Sequence, residues 1–437
     1  MLTAISSSLR LRANNEKFVL YHLRRMGQAT KRQLSLATGL TFQAASSIVE
    51  AMVERGLIRK VGRHTGGLGQ PSAIFEVDPL GSLSIGVEIG RHNLVIVGVG
   101  LTGVRLAKLQ FEYEYPLPSK ILPLVTDGIP RLIERLKDFR NVPLAGVGVS
   151  APYLLGGWAK LLGFPTHVET AWREVVLQDE VQKLTNMPVY FENDGTSACA
   201  AELLLGVGQE LQSFLYFFLG TFTGGGLVLD GALQFGPNRN AGALGPMPVP
   251  PSRLPSVPPP DGGMEILMNR ASLHALLRHF HHSGYSSLSE HDIPIFSQRD
   301  SSALTEWMDD ATDALAYAAI SALCVVDVQA IVLGGALPQS CLETITSMLA
   351  HKVNLRGHDG ICVPAFRVGT VAGEASAIGA AMMPFYNEFT PNRSSLLAKH
   401  KPDGPAFAES AESSVLINGE QRMMRMIADP KMDSPAG

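Results

Sequence analysis

The stretch MPVYFEND (187–194) reads as a β-strand ending on Glu192, Asn193 and Asp194. A carboxylate at a strand end, facing a cleft, suits two tasks. It can take a proton from a hydroxyl, or it can hydrogen-bond that hydroxyl without chemistry. Further on, GTFTGGG (220–226) concentrates glycine. Glycine lets backbone amides approach an anion closely, which a phosphate loop requires, but the same residues also suit a tight strand turn. His279, His281 and His282 crowd together in HFHH. With no carboxylate or Cys at ligand spacing, they read as a solvated helix end rather than a metal site. The four cysteines are far apart and form no CxxC, which argues against a disulfide framework and fits a reducing cytoplasm. Cys199 and Cys324 read as core residues on apolar helix faces.

The elements that must position these groups alternate between strand and helix, so the fold class is α/β. SIGVEIGRHNLVIVGVGLTGVRLAKLQFEYE (84–114) reads as two or three strands with turns at Gly90 and Thr102-Gly103. Helices are expected over Ile121–Leu136, broken near Gly128-Ile129-Pro130, and over Val175–Leu184, Thr196–Leu205, Ala311–Val326 and Val371–Met383. LAGVGVSAPYLL and VQAIVLGGAL read as buried strands, the second ending at Gly334-Gly335. Residues 240–267 hold eight prolines and neither Cys nor His; proline this dense excludes a helix or central strand.

The chain has 437 residues, 46% of them apolar and 17% charged, with a net charge of −4. Residues 1–80 carry eleven Lys/Arg against five Asp/Glu, whereas the rest carries 25 against 35. A basic segment on an acidic body points to nucleic acid. Its helices are expected over Asn14–Met26, over Lys31–Thr38 capped by Thr30, and from a Thr41 cap to Arg55. Gly39-Leu40 supplies the turn of a helix-turn-helix. The third helix would read DNA with Phe42, Gln43, Ser46 and Ser47, supported by Thr30, Lys31, Arg32 and Thr41. Strands Leu57–Val61 and Ser72–Val77 would form a basic wing bearing Arg63 and Gln70. No run of 18 apolar residues exists and the start shows no signal peptide, so no membrane contact is expected.

Eight pieces in order resemble the ROK family, named for repressors, open reading frames and kinases. They are GVEIG (86–90), GVGVSAP (146–152), ENDGTSACAAE (192–202), GTFTGGG (220–226), GPNRNAGALGPM (236–247), GGME (262–265), VLGGAL (332–337) and GEASAIGAA (373–381). The resemblance implies a two-lobed, actin-like (ribonuclease H-like) ATPase fold behind the winged helix-turn-helix. Its layout would be 1–80 for the winged module, 81–195 for lobe 1 (completed by about 366–390), 196–365 for lobe 2, and 391–437 as a mostly flexible tail.

The resemblance also assigns roles. Asp194 stands where resembling kinases place their base. Gly90, Gly220, Thr221, Gly224, Gly225, Gly334 and Gly335 are remnants of phosphate loops. Asn193, Asp194 and Glu265 would hold a sugar or sugar derivative. The departures are pointed. Arg91 and His92 replace the Gly and Thr of the first phosphate loop, and Phe222 is expected to occupy space meant for phosphate or to force the loop away from it. Ala243 and Pro246 replace a sugar-binding Glu and His. Pro246, Ser256, Pro258 and Gly263 fall at the family's zinc-ligand places. The expectation is therefore a cytoplasmic regulator, not an enzyme, with neither zinc nor ATP. It would bind a palindromic operator as a homodimer or dimer of dimers. A sugar kinase, and a regulator controlled by a partner protein, remain the alternatives. Gln70 stands where resembling repressors carry Arg, so weaker wing contact is expected.

Overall fold

In the computed structural model, residues 2–64, 72–139, 141–153, 155–157, 161–260, 262–297, 301–356, 360–371 and 373–391 are described. The chain divides into two units, Met1–Arg393 and Ser394–Gly437. The second unit lies outside the described residues, as do the expected wing contact Gln70 and the C-terminal tail.

The winged module comprises α1 (Leu2–Met26), β1 (Gln28–Thr30), α2 (Lys31–Thr38), α3 (Phe42–Glu54), β2 (Ile58–His64) and β3 (Ser72–Val77). Local chemistry defines its joints. The Thr30 hydroxyl accepts from the Gln33 amide while the Gln33 side chain accepts from the Thr30 amide, a capping box that starts α2. Gly39 ends that helix at φ +67, the left-handed region, and Thr41 caps α3 by accepting from the Ala44 amide. The chain turns through 116° between α2 and α3. The wing strand β2 runs three residues further than expected, and the short β1 pairs with β3.

Two five-stranded sheets follow with the same plan. Lobe 1 is built on β4 (Leu83–Ile89), β5 (Asn93–Gly100), β6 (Arg105–Glu112), β7 (Leu144–Ser150) and β8 (Val189–Glu192), in the order β6-β5-β4-β7-β8. Helices α4 (Pro118–Arg135), α5 (Thr166–Ala171) and α6 (Leu177–Gln182) join them. Helix α7 (Asp194–Leu205) leads into lobe 2, with β9 (Phe214–Leu219), β10 (Thr223–Leu229) and β11 (Ala232–Leu233). After a small ladder of β12 (Pro248–Val249) and β13 (Glu265–Ile266) come α8 (Leu273–His282), α9 (Ile293–Phe296) and α10 (Ser302–Leu323). Then β14 (Ala330–Gly335), α11 (Gln339–Leu355) and β15 (Ala365–Val368) complete the order β11-β10-β9-β14-β15. In each sheet the first three strands are antiparallel and the last two are added in parallel. The last helix, α12 (Ala375–Phe389), returns to lobe 1.

Several expectations require correction. Helix α4 is unbroken through Pro123 and Pro130, because both prolines lie on its exposed side, where water can satisfy the carbonyls they leave free. Its opposite face, Ile121, Val125, Ile129 and Leu132, is buried against the sheet. Gly224, Gly225 and Gly226 are not a turn; they lie inside β10, paired with β9. Two of them have no room for a side chain: a Cβ on Gly226 would sit 2.4 Å from the Cβ of Cys199 in α7, and one on Gly225 would sit 2.4 Å from the Tyr216 carbonyl oxygen of β9. Cys324 is exposed just past α10, whereas Cys199 is buried in α7. His279 is not solvated but 2% exposed, unlike His281 and His282.

The winged module shares its core with the body. Val19, Leu20, Leu23, Ile48 and Phe75 belong to the same cluster as Val97 of β5, Leu204 of α7 and Phe385 of α12. Hydrogen bonds reinforce the seam: Lys17 donates to the Asn387 carbonyl (3.0 Å), Arg24 to that of Leu101 and Arg25 to that of Leu211 (3.2 Å each).

Candidate functional site

A cleft of about 620 Å³ opens between the lobes. Asn193 and Asp194 line it where β8 passes into α7. Their local fold follows from their chemistry. Asn193 is the N-cap of α7, its side chain accepting from the Gly195 amide at 3.0 Å, and Asp194 accepts from the same amide at 2.8 Å. Burial pushes the Asp194 carboxyl up, against the opposing Gly195 amide and Arg91 charge.

The cleft also holds the acid of the GVEIG piece, which stands, longer by a methylene, where the resembling kinases have Asp. Glu88, next to last in β4, lines the wall and is pushed up to about 7 by burial, reinforced by the charges of Asp194 and Glu374. Glu374 behaves differently. Burial would raise it, but ion pairs with Lys108 and Arg105 outweigh that and hold it low. The shift on Glu88 sets a pH dependence. A folded-state value above the ordinary one means its share of stability is complete below about pH 4.5 and lost as pH rises toward 7. Glu88→Gln should therefore flatten the fall in melting temperature between pH 5.5 and 8; equal falls in both proteins would contradict this placement.

Two glycine-bearing loops meet across the cleft. The β4–β5 turn carries Gly90, Arg91 and His92, and the turn before β10 carries Gly220, Thr221 and Phe222. Arg91 is only 6% exposed. It donates to the carbonyls of Gly157 (2.9 Å) and Leu155 (3.4 Å), and its guanidinium lies 4.9 Å from the Phe222 ring centre. Burial lowers it to about 10, so it stays charged at neutral pH. His274 meets Phe222 edge-on, and Thr221 donates to Glu290. Arg239 reaches across from lobe 2 to pair with the buried Glu192.

Gly90, Gly220, Thr221, Gly224 and Gly225 thus line the cleft with Asn193 and Asp194. Three expected residues do not. Glu265 is buried in β13, where it accepts from Asn269 at 2.8 Å. Gly334 and Gly335 end β14 behind the cleft wall, to which only their neighbour Ala336 contributes. Nearness in motif order did not bring these side chains to the ligand space.

The proline-rich loop is braced by polar contacts. Buried Arg270 donates to the Pro250 carbonyl (2.8 Å) and pairs with both Asp310 oxygens, while Ser252 also donates to Asp310 (2.8 Å). The Ser256 hydroxyl meets His279 Nδ1 at 2.9 Å. The residues at the zinc-ligand places, two prolines, a glycine and this engaged serine, do not fit a zinc ion.

On the winged module, Phe42, Gln43 and Ser47 are exposed on the first turns of α3, and Arg32 and Arg63 are exposed on α2 and the wing. Lys31 differs from expectation: it is tied to Glu50 (2.6 Å) and Ser46 (2.9 Å) of α3. Thr30 and Thr41 act as caps.

A model of the ROK family matches residues 84–384, more than half of the chain. The xylose repressor of Bacillus spizizenii is 23% identical over 235 residues, which is 54% of this chain and 60% of that protein. The crystal structure of a ROK family transcriptional regulator, a homologue of the E. coli MLC protein, superposes with a TM-score of 0.61 at 19% identity. That match covers 89% of this chain and 98% of the other. A ROK family glucokinase from Streptomyces griseus, in complex with glucose and AMPPNP, gives 0.54 at 20% identity, covering 69% and 98%. At these identities the structures speak to fold alone. The duplicated sheet plan, the cleft between the lobes and the matched residues agree: this chain belongs to the ROK family, with an actin-like, two-lobed body.

Proposed function

We propose that the protein is a DNA-binding transcriptional regulator whose kinase-like body senses a small ligand, a sugar or sugar derivative, instead of phosphorylating it. The observation that carries this reading is the winged helix-turn-helix built into one core with the two helices of the cleft. α7 begins at Asp194 and α12 at Ala375–Ser376, both at the cleft, and both end against the winged module. The helices are locked together: Ser376 donates to the Asp194 carbonyl at 3.3 Å, and a Cβ on Gly379 would sit 1.7 Å from the Ser197 carbonyl oxygen. A ligand that shifts one helix end therefore shifts the other. The xylose repressor and the MLC homologue, both regulators by name, support the same reading.

We infer from the Arg91–Phe222 contact, which joins the two loops at the cleft, that the chain does not bind ATP, and from the residues at the zinc-ligand places that it holds no zinc; we infer further that it works in the cytoplasm. Two copies would set two α3 helices on the halves of a palindrome. Selection from random duplexes at moderate salt should enrich one palindromic sequence; enrichment of none would refute the DNA reading.

One observation favours a second reading, a sugar kinase: Asp194 sits at the cleft with the position and hydrogen bonding of a base. An ATP-dependent turnover assay over a panel of sugars decides between them. We expect no turnover; activity abolished by Asp194→Asn would establish the kinase.

A further inference from the structure

α3 (FQAASSIVEAMVE) contains no Lys, Arg or Asn. The nearest cation of α2, Lys31, is held by Glu50 and Ser46 and points along α3 rather than beyond it. What the first turn of α3 offers a groove is a phenyl ring, an amide and hydroxyls. Phe42 stands 54% exposed at the first helical position, the one phenylalanine among the exposed large apolar side chains of the described residues. Gln43 beside it is exposed, and its side chain makes no hydrogen bond among the described residues. The surrounding module is strongly basic, which suits a DNA duplex better than an apolar protein partner.

The phenyl ring and the amide each have one preferred base, whereas a hydroxyl can donate or accept and suits several. The guanine edge, two acceptors, is read by Arg or Lys, and α3 has neither. The adenine edge pairs with a Gln amide, and the thymine 5-methyl is met by apolar side chains such as Phe. We infer that α3 reads thymine and adenine: Phe42 packs on a thymine 5-methyl group and Gln43 pairs with an adjacent adenine. This rests on the DNA-binding reading above and deepens it to the bases read. Guanine contacts, where the operator has them, then fall to Arg32 or the wing.

The test uses the full-length protein and the duplex it enriches. Each thymine is replaced in turn by deoxyuridine, which removes only the methyl group, and each adenine by 7-deazaadenine. Wild type should lose about fourfold in affinity at one deoxyuridine position per half-site, the worth of one buried methyl. Phe42→Ala should bind thymine and deoxyuridine duplexes equally at that position, while Phe42→Leu, still apolar, keeps the difference. Gln43→Ala should lose its response to 7-deazaadenine at the neighbouring position. Circular dichroism confirms the fold, which an exposed position should leave intact. If wild type enriches no sequence, the DNA reading itself fails. If it enriches one but no deoxyuridine response depends on Phe42, or if α3 covers only G·C pairs, this inference fails while that reading stands.

Discussion

Arg270→Met should destabilise the folded protein by about 3–5 kcal/mol, read as a lowered urea midpoint. Arg270 is 2% exposed and Asp310 7%. Their contact is bidentate, with Arg270 Nε at 3.0 Å and Nη2 at 2.7 Å from the two carboxylate oxygens. Removing one partner leaves the other as an uncompensated buried charge, which is where the cost arises. It also frees the Pro250 carbonyl and weakens the anchor of Ser252 on Asp310. The double change Arg270→Met with Asp310→Leu should recover much of the loss, since an apolar pair has no charge to strand. A single variant within 1 kcal/mol of wild type would mean that the prolines alone hold residues 246–260. The contacts point the other way. Proline fixes backbone angles but cannot tie a loop to the α10 helix behind it.

Phe385→Ala carries the second large effect, about 3–5 kcal/mol for a phenyl ring lost from a closed core. The ring is fully buried in the cluster that joins α1, α3 and β3 to β5, α7 and α12. Because that core is continuous, the loss should appear on both sides of the seam. Amide exchange should quicken in α3 and in β5 together, in one cooperative unit. Faster exchange confined to α12, with α3 unchanged, would show that the winged module is stabilised independently. Coupling between the cleft and α3 would then need another route. The same experiment reports on function, since a ligand at Asp194 can act on α3 only through elements that share free energy with it.

Much of the winged module was legible from local signals. Thr30, Thr41 and Gly39 mark helix ends by chemistry contained within four residues, and the helical spacing of Ile48, Val49 and Met52 marks the buried face. The strand of three residues at Gln28 was not legible, because so short a segment carries no alternation and exists only through its pairing with β3. Gly224–Gly226 misled for a related reason. Glycine reports a turn or a close approach, and only the packing tells which: Cys199 of α7 comes close at Gly226. In the cleft, Asn193, Asp194 and the loop glycines were found by pattern. Glu265 was also picked by pattern, yet its side chain bonds to Asn269 and its own strand.

The amino-acid sequence alone determined the class of most elements and the basic module on an acidic body. These depend on residue type, spacing and net charge, which are local or additive. Only the tertiary structure decided what fills the altered places. The Arg91–Phe222 stack, the Arg270–Asp310 brace and the raised Glu88 each join residues remote in sequence or depend on burial. Burial and charge pairing are properties of the packed interior, so the energies that set them do not exist until the lobes are assembled.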